Sequence, residues 1–552
     1  MTRGLALLVA GSACFAVSVA GPVTAQAKSP NGANTLGGKS YTVWTESSMK
    51  RVMPKSRPAR SAGQPKARIS LAGGEYESFQ VALLPASGHE LHEVRIRVSD
   101  LVCEANGARI GSQHVEWQQV GYVWVGSLAE RAIAPNAKVH PDAEVPGWWP
   151  DPLLPVESFE VKPDFAQSVW ITVYAPPGTP AGTYTGAVTV SPKGEPTTKV
   201  EVQARVYGFN LAPGAGHFKT AFALFDDNIA SVYGKKSLDA KTRRQWGDFV
   251  LRHRLNPDNI YRQQPPDVTD LEHYLKGGMN SFTVMSMPEK VTGIENCRKA
   301  ISAFMERLGK SRDHEALRKM AFVYGFDEID KDKFDAMRQV FGMARHEFGL
   351  PTMTTGHVPQ DSQTLRDLQI DWLCPITDWL DFGKVERCRA EGFKVWSYCS
   401  LQPYPPFPNW RLDCPLVEAR VMWWQAYHEN LDGFLYWALN IWSRPNNDKP
   451  INPSDGPLLK WGVTTLPDYP WLHGDGLLLY PGVNGPMGSI RLANIRDGLE
   501  DYEYLWLLAQ KRHGREAGRT ACLPVAESLA SYTRDPLRVD AQRDRIAREI
   551  ED

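Results

Sequence analysis

The sequence predicts a multidomain protein in which an N-terminal antiparallel β-sandwich region is followed by a (β/α)8 barrel and a C-terminal closing helix. Two observations lead to this fold class. Between residues 41 and 207, short segments of alternating apolar and polar residues are separated by turns rich in glycine and proline. After residue 216, apolar runs of strand length alternate with helical patterns, which is typical of a parallel sheet with crossover helices. A chain of 552 residues also needs more than one hydrophobic core.

The first 27 residues are interpreted as a secretory signal peptide. Arg3 provides the positive start, residues 4–19 form an apolar and small-residue run, and Ala25-Gln26-Ala27 matches a cleavage site. Lipid attachment at Cys14 is the alternative, but the three residues before it match a lipidation signal poorly. No later stretch approaches the roughly 20 apolar residues of a membrane-spanning helix. We therefore expect a secreted or periplasmic protein without a transmembrane segment.

The composition argues against several kinds of partner. With 62 Lys+Arg against 63 Asp+Glu, the formal net charge is -1, so no global attraction to nucleic acid or anionic membrane is expected. Of the eight cysteines, Cys14 belongs to the signal peptide, and none of the remaining seven is in a C-x-x-C spacing. A zinc cluster or a redox motif is therefore not expected. Four of the seven lie between residues 374 and 414, where an oxidising compartment would allow one disulfide.

Residues 28–212 are assigned to the β-sandwich region. Its clearest strands are alternating segments at 77–83, 94–98, 169–173 and 187–190. Short strands at this spacing, with glycine and proline between them, favour one or two antiparallel sandwiches. The stretch from Leu211 to Gly216 contains proline and two glycines and is predicted to be a linker.

Residues 217–515 are assigned to the barrel and residues 516–552 to a helical tail. Eight runs of strand length are predicted at 221–225, 282–285, 321–326, 353–355, 372–374, 395–398, 433–438 and 477–480. Helices are predicted at 241–254, 297–308, 332–348, 385–391 and 417–430, with the closing helix at 490–511. A doubly wound open sheet is the alternative, but no G-x-G-x-x-G motif follows any of these strands.

The strongest candidate for chemistry is an acidic pair, Asp327 and Glu328, that directly follows the buried run 321–326. Catalytic groups of such barrels lie just beyond the carboxyl ends of the strands. At a strand end, both carboxylates can face one pocket, and unlike surroundings can make one an acid while the other stays ionised. The alternative is that both residues only cap the helix that begins near Asp332.

Aromatic and polar residues gather at other strand ends. Aromatic faces stack on the C–H faces of sugars while polar groups bind the hydroxyls, so this combination suits a carbohydrate cleft. Packing in the barrel core and between domains is the alternative. His357, a lone histidine after a predicted strand, is a candidate donor or a structural residue. The candidates drawn from these strand ends are Trp396, Tyr398, Tyr436, Trp437, Asn440, Trp442, Asp475 and His357.

Six motifs keep a fixed order from the first sandwich to the closing helix. They are GGEYESFQVALLP at 73–85, GWWPDPLLP at 147–155, FVYGFDE at 322–328, DGFLYWALNIW at 432–442, GDGLLLYPG at 474–482 and SIRLANIRDGLEDYEYLWLL at 489–508. Together these motifs resemble glycoside hydrolase family 123. The resemblance implies a β-sandwich region, a (β/α)8 catalytic barrel and exo-β-N-acetylgalactosaminidase activity on glycans.

The resemblance also implies a retaining mechanism in which the acetamido group of the substrate is the nucleophile. Asp327 would orient that group and stabilise its positive charge, and Glu328 would protonate the leaving oxygen and later activate water. No metal or cofactor is required, because both acid–base groups belong to the protein. The partner implied is a glycan or glycoconjugate with β-linked N-acetylgalactosamine.

The pocket assignments rest on position at strand ends. Tyr398 is predicted to hold the acetamido carbonyl. Trp396, Trp437 and Trp442 are predicted to be pocket walls. The predicted hydroxyl partners are Asn440, Tyr436, His357 and Asp475.

Two other classes of function remain open at this point. One is a glycosidase for sugars without an acetamido group, which would need a second carboxylate such as Asp475 or Asp378. The other is a non-catalytic carbohydrate-binding protein of the cell envelope. Such a protein could lose Asp327 and Glu328 freely, so the presence of the pair argues against this class.

Overall fold

The fold is taken from a computed structural model that describes residues 40–59, 64–126, 144–442, 447–464 and 472–552. The expected signal peptide lies outside the described residues. None of the helices in these ranges is both long and apolar enough to cross a membrane.

Two β-sheets make up the N-terminal region. One sheet has the strand order β1-β3-β10-β7-β21 with β8 also paired to β7, and the other has the order β2-β12-β11-β4-β9 with β5 and β6 at its side. The four segments predicted from alternation all lie in strands. The strands are β1 (Tyr41–Ser47), β2 (Lys66–Gly73), β3 (Glu75–Pro85), β4 (Leu91–Val98), β5 (Leu101–Cys103), β6 (Arg109–Ile110), β7 (Val115–Val125), β8 (Gly147–Leu154), β9 (Phe159–Val161), β10 (Gln167–Ala175), β11 (Gly182–Ser191), β12 (Thr198–Asn210) and, from later in the chain, β21 (Leu458–Leu459).

The two sheets share one hydrophobic core, as the prediction of a sandwich requires. Val81 and Ile171 from the first sheet are in the same buried cluster as Val188 and Val202 from the second. Most strand pairs are antiparallel, but β2 and β12 run parallel. Because successive residues of a strand point to opposite faces, the alternation of the sequence places one face of each sheet in this core.

The barrel is a sheet of eight parallel strands. Its order is β14-β13-β20-β19-β18-β17-β16-β15, and only the edge between β14 and β15 lacks a strand ladder. Seven of the eight predicted strands are confirmed. The barrel strands are β13 (Lys219–Ala223), β14 (Pro257–Asp258), β15 (Phe282–Met287), β16 (Ala321–Gly325), β17 (Thr352–Gly356), β18 (Trp372–Pro375), β19 (Lys394–Cys399) and β20 (Gly433–Tyr436).

The eighth predicted strand, at 477–480, is wrong. That segment lies outside the barrel, where β22 (Tyr480–Gly482) pairs with β23 (Gly485–Met487). The missing member is β14, which has only two residues and therefore no periodicity to recognise. At the open edge, the Asp258 side chain accepts hydrogen bonds from the backbone N–H of Thr283 (3.0 Å) and from its hydroxyl (2.7 Å). A buried carboxylate thus takes the place of strand hydrogen bonds.

The helices follow the predicted pattern with shifts of a few residues, and four that the sequence did not predict, α1, α3, α5 and α7, lie between the barrel strands. The helices are α1 (Asp226–Val232), α2 (Ala240–Arg252), α3 (Val268–Lys276), α4 (Ile294–Leu308), α5 (His314–Met320), α6 (Phe334–Phe348), α7 (Ser362–Asp367), α8 (Phe382–Ala390), α9 (Glu418–His428), α10 (Ile490–Lys511), α11 (Arg515–Cys522) and α12 (Pro536–Glu551).

The closing helix α10 has the predicted bounds and begins with a side-chain cap. Ser489 accepts a hydrogen bond from the Leu492 N–H, as expected of a serine before a helix. The helix is buried for most of its length, and α12 packs beside it. The seven cysteines from Cys103 to Cys522 are buried free thiols, so the disulfide that the sequence would allow is not formed.

Candidate active site

The acidic pair lies at the carboxyl end of β16, on the face of the barrel where the sequence placed it. Phe326 is buried, whereas Asp327 and Glu328 are exposed. Phe326 and Glu328 have positive φ values of 55° and 51°. These two left-handed residues end the alternation of the strand, so that neighbouring carboxylates can both reach solvent.

Capping of α6, the alternative role for the pair, is not what the structure shows. The cap position of α6 is Lys333, and no side chain accepts a hydrogen bond there. The start of a helix also does not require the positive φ values of Phe326 and Glu328. Strained residues of this kind cluster at functional sites.

Asp327 is held by three hydroxyl groups. Tyr324 and Thr355 donate to its Oδ1 at 2.6 and 2.8 Å, and Tyr261 donates to its Oδ2 at 3.4 Å. Burial, together with the Asp327 charge, raises the pKa of both tyrosines well above its ordinary value. Both phenols therefore stay protonated and serve as donors, which fixes the orientation of the Asp327 carboxylate.

Asn440 supports this arrangement from the next layer rather than facing the pocket. Its Oδ1 accepts from the Phe225 N–H (2.9 Å), and its Nδ2 donates to the Phe225 carbonyl (3.0 Å). The Phe225 ring in turn stacks on Tyr261, with centroids 5.9 Å apart. Since the amide is engaged with backbone, its predicted role as a hydroxyl partner is replaced by a structural one.

Glu328 has a contrasting environment. No described residue hydrogen-bonds its carboxylate. Its backbone passes so close to Gly356 that a methyl group there would lie 2.8 Å from Glu328 Cα. The Glu328 charge is, after burial, the leading cause of the raised pKa of Tyr398, with Asp327 and Asp378 also contributing. The Tyr398 phenol, which points into the barrel from β19, is therefore close to the acidic pair.

Tyr436, Trp437 and Asp475 form a second cluster. The Tyr436 hydroxyl and the Trp437 indole N–H both donate to Asp475 Oδ1 at 3.1 Å. Asp475 is buried, and its Oδ2 has no hydrogen-bond partner among the described residues. Burial raises the pKa of this carboxyl group. Trp437 is half-buried, so it is the member of the cluster that can offer a ring face.

Trp396 and Trp442 are not at the mouth of the barrel. Trp396 is 1% exposed and stacks on Trp372 inside the barrel, with centroids 5.4 Å apart. Trp442 donates from its indole to the Leu479 carbonyl (2.9 Å) and packs on Trp246. Interior packing, which the sequence left open as the alternative, accounts for both residues.

His357 is exposed after β17 and lies against a residue that the sequence analysis missed. Its ring centroid is 4.4 Å from that of Trp379, which is 49% exposed. The hydroxyls of Tyr261, Tyr324 and Thr355 were missed as well. Tyr324 could have been found, since it is the one polar side chain in the run 321–326.

Two other features bear on what could bind near the site. A cavity of about 640 Å³ is lined by Phe225 and Tyr261 and by charged residues such as Asp226 and Arg243. Among the described residues, one group could share a metal ion, and it is exposed on the sandwich rather than at the acidic pair: Glu90, His92 and Glu160.

An acidic pair with unlike surroundings at the carboxyl end of a barrel strand suits acid–base catalysis, which is the chemistry that glycoside hydrolases use. Comparison with protein families identifies the chain as one of these enzymes and gives its family. Residues 264–508 match the glycoside hydrolase 123 catalytic domain, and residues 48–192 match the glycoside hydrolase 123 N-terminal domain. The chain belongs to glycoside hydrolase family 123, and its substrates are carbohydrates.

One solved structure of the family has the same fold. A family 123 glycoside hydrolase from Clostridium perfringens, studied for glycolipid glycan hydrolysis, superposes with a TM-score of 0.64 at 12% identity, over 93% of this chain and 97% of that chain. A family 5 xyloglucanase from Bacteroides ovatus gives a TM-score of 0.26 at 10% identity, over 78% of this chain and 98% of its own. No curated protein matches this sequence.

Proposed function

We propose that this glycoside hydrolase is exported and releases terminal β-linked N-acetylgalactosamine from glycans with retention of configuration. The observation that carries the proposal is the contrast within the acidic pair. Asp327 is fixed by three hydroxyl donors, whereas the Glu328 carboxylate has no hydrogen-bond partner in the part of the chain that the structure describes. A fixed anion suits the stabilisation of a positive charge, and an unrestrained carboxyl suits proton transfer.

In the first step, the acetamido carbonyl oxygen of the substrate attacks the anomeric carbon. The bond from that carbon to the leaving oxygen breaks, and Glu328 transfers its proton to the leaving oxygen. The resulting oxazolinium ion carries its positive charge beside Asp327, which accepts the acetamido N–H. The Tyr398 phenol donates a hydrogen bond to the acetamido oxygen and holds that oxygen in line for attack.

In the second step, water adds to the anomeric carbon from the face that the leaving group has vacated. Glu328, now ionised, takes a proton from this water, and the bond to the acetamido oxygen breaks. The product is the free β-N-acetylhexosamine, and Glu328 is again protonated. Two adjacent carboxylates suffice because the nucleophile belongs to the substrate.

A second candidate is a glycosidase for sugars without an acetamido group. Asp378 is exposed and, together with the acidic pair, raises the pKa of the Tyr398 phenol. A third carboxylate close to the same phenol could act as the nucleophile. Asp475 is a weaker choice for that role, because it is buried and one of its oxygens already accepts two hydrogen bonds.

The test is hydrolysis of the p-nitrophenyl derivatives of β-GalNAc, β-GlcNAc and β-galactose. Wild type should cleave acetamido sugars only, and Glu328→Gln should lower kcat by about 10²–10⁴-fold. Asp330→Asn is a matched control, since it is an exposed carboxylate two residues away, and it should stay within about twofold of wild type. Equal cleavage of the galactoside would exclude substrate assistance and favour Asp378 as the nucleophile.

A further inference from the structure

Trp379 presents an exposed indole beside the active site. Of the described tryptophans, only Trp124 on the sandwich and Trp379 on the barrel are exposed, at 46% and 49%. An exposed indole does not gain the hydrophobic free energy that burial of the ring would provide. A single exposed aromatic needs no explanation by itself, but its position and its rigid support do.

The turn that carries Trp379 is fixed on both sides. Residues Thr377–Trp379 form one short helical turn after β18. Thr377 donates its hydroxyl to the Tyr398 carbonyl at 2.9 Å. On the other side, Gln360 donates to the Trp379 carbonyl (2.7 Å) and accepts from the Asp381 N–H (2.8 Å). The indole is therefore held in place before any ligand arrives, which lowers the entropic cost of binding.

A chain of contacts connects this indole to the backbone of Glu328. The Trp379 ring lies against the His357 ring at 4.4 Å. His357 follows Gly356, whose backbone packs directly on the backbone of Glu328. The hydroxyl donors of Tyr324, Thr355 and Tyr261, in contrast, all converge on Asp327. Through His357 and Gly356, Trp379 thus adjoins Glu328, the residue proposed to protonate the leaving oxygen.

We infer that Trp379 is the stacking platform for the first sugar of the leaving group. This inference rests on the proposed function, because it uses Glu328 as the acid that protonates the leaving oxygen. A ring beside Glu328 then faces the sugar beyond the scissile bond, not the N-acetylhexosamine that is released. The flat face of a hexose can stack on an indole, and the His357 ring packs against this one.

The experiment compares a stacking leaving group with a small one. Disaccharides of β-N-acetylgalactosamine with galactose in 1,3, 1,4 and 1,6 linkage provide the sugar leaving group. The β-glycosyl azide of N-acetylgalactosamine provides a leaving group that has no face to stack. For Trp379→Ala, kcat/KM on the best disaccharide should fall by about 10- to 100-fold, while kcat/KM on the azide should stay within about twofold.

Two further variants control for folding and for loss of an exposed tryptophan in general. Trp379→Tyr keeps an aromatic ring and should recover most of the activity on the disaccharide. Trp124→Ala removes a similarly exposed indole from the sandwich and should leave kcat/KM unchanged on both substrates. An equal loss on disaccharide and azide, or no loss on the disaccharide, would overturn the inference. A wild-type enzyme that cleaves neither substrate would instead contradict the proposed function, and the platform would fall with it.

Discussion

Gly356 is the residue that most directly sets the position of Glu328. Its φ of +93° is unfavourable for any residue with a Cβ, and a methyl group there would lie 2.8 Å from the Glu328 backbone. Gly356→Ala should therefore lower the free energy of unfolding by about 1–3 kcal/mol and also abolish most of the hydrolysis. Urea denaturation and p-nitrophenyl β-GalNAc turnover measure the two effects.

Gly392 provides the matched control for this substitution. Its φ of +96° is nearly the same, but no atom lies within 4 Å of a methyl group placed on it. Gly392→Ala should lose stability through backbone strain and keep its activity. If Gly356→Ala retained full activity, close backbone contact would not be what positions Glu328.

At the scale of the element, the closing helix α10 is unusual because its charged residues are buried. Arg420 of α9 binds Asp501 of α10 through Nε at 2.7 Å, and it also binds Glu77 of β3 at 3.1 Å. Arg543 of α12 binds Glu77, Asp501 and Glu75. The polar ties of α10 therefore run to the sandwich and to other helices, which explains why two of the family motifs are rich in carboxylates.

This network predicts a large difference between two arginines of α12. Arg543 is 2% exposed at its side chain, so Arg543→Met would leave several carboxylates buried without a counter-charge. The free energy of unfolding should fall by about 3–5 kcal/mol. Arg545 pairs with Glu549 at the surface, where it is 66% exposed, and Arg545→Met should cost less than about 0.5 kcal/mol.

Guanidinium denaturation of both variants checks this prediction. Comparable losses for Arg543→Met and Arg545→Met would mean that the buried ion pairs contribute no more than surface pairs. Activity is a second readout, because neither arginine is near the acidic pair and a folded variant should retain hydrolysis.

At the scale of the whole molecule, the junction between sandwich and closing helix should respond to pH. Glu500 is fully buried, and its Oε1 accepts from the Tyr76 N–H (3.1 Å) and from Arg254 (3.1 Å). Its Oε2 has no partner among the described residues. Burial raises the pKa of Glu500 to about 8, despite the opposing charge of Arg254. The folded protein thus holds a proton that the unfolded chain releases near the ordinary glutamate pKa of 4.5.

The direction in which stability changes with pH follows from proton linkage. The contribution of Glu500 to stability is fully present below pH 4.5 and is lost as pH rises towards 8, by up to about 1.4 kcal/mol per pH unit. Glu500→Gln stays neutral and should flatten this fall between pH 5.5 and 7.5 in urea denaturation. Glu516→Gln, an exposed control on α11, should keep the wild-type slope. Parallel slopes for wild type and Glu500→Gln would contradict a protonated Glu500.

The sequence by itself determined most of the fold, because the decisive signals are local. Seven barrel strands and the bounds of α10 follow from apolar runs and helical periodicity, which depend on neighbours in the chain. The acidic pair could be found for the same reason: it directly follows a buried strand. The strand β14 could not be predicted, because two residues have no periodicity. Its connection to β15 depends instead on the Asp258 side chain.

Only the tertiary structure decided how the site is built. The donors to Asp327 come from β16, β17 and the loop after β14, and no local pattern announces that they converge. The same holds for the roles of Trp396, Asn440 and Trp442, which a position at a strand end does not distinguish from those of Tyr398 or Trp379. Exposure and hydrogen-bond partners depend on residues far apart in the chain, and these are fixed only when strands and helices pack.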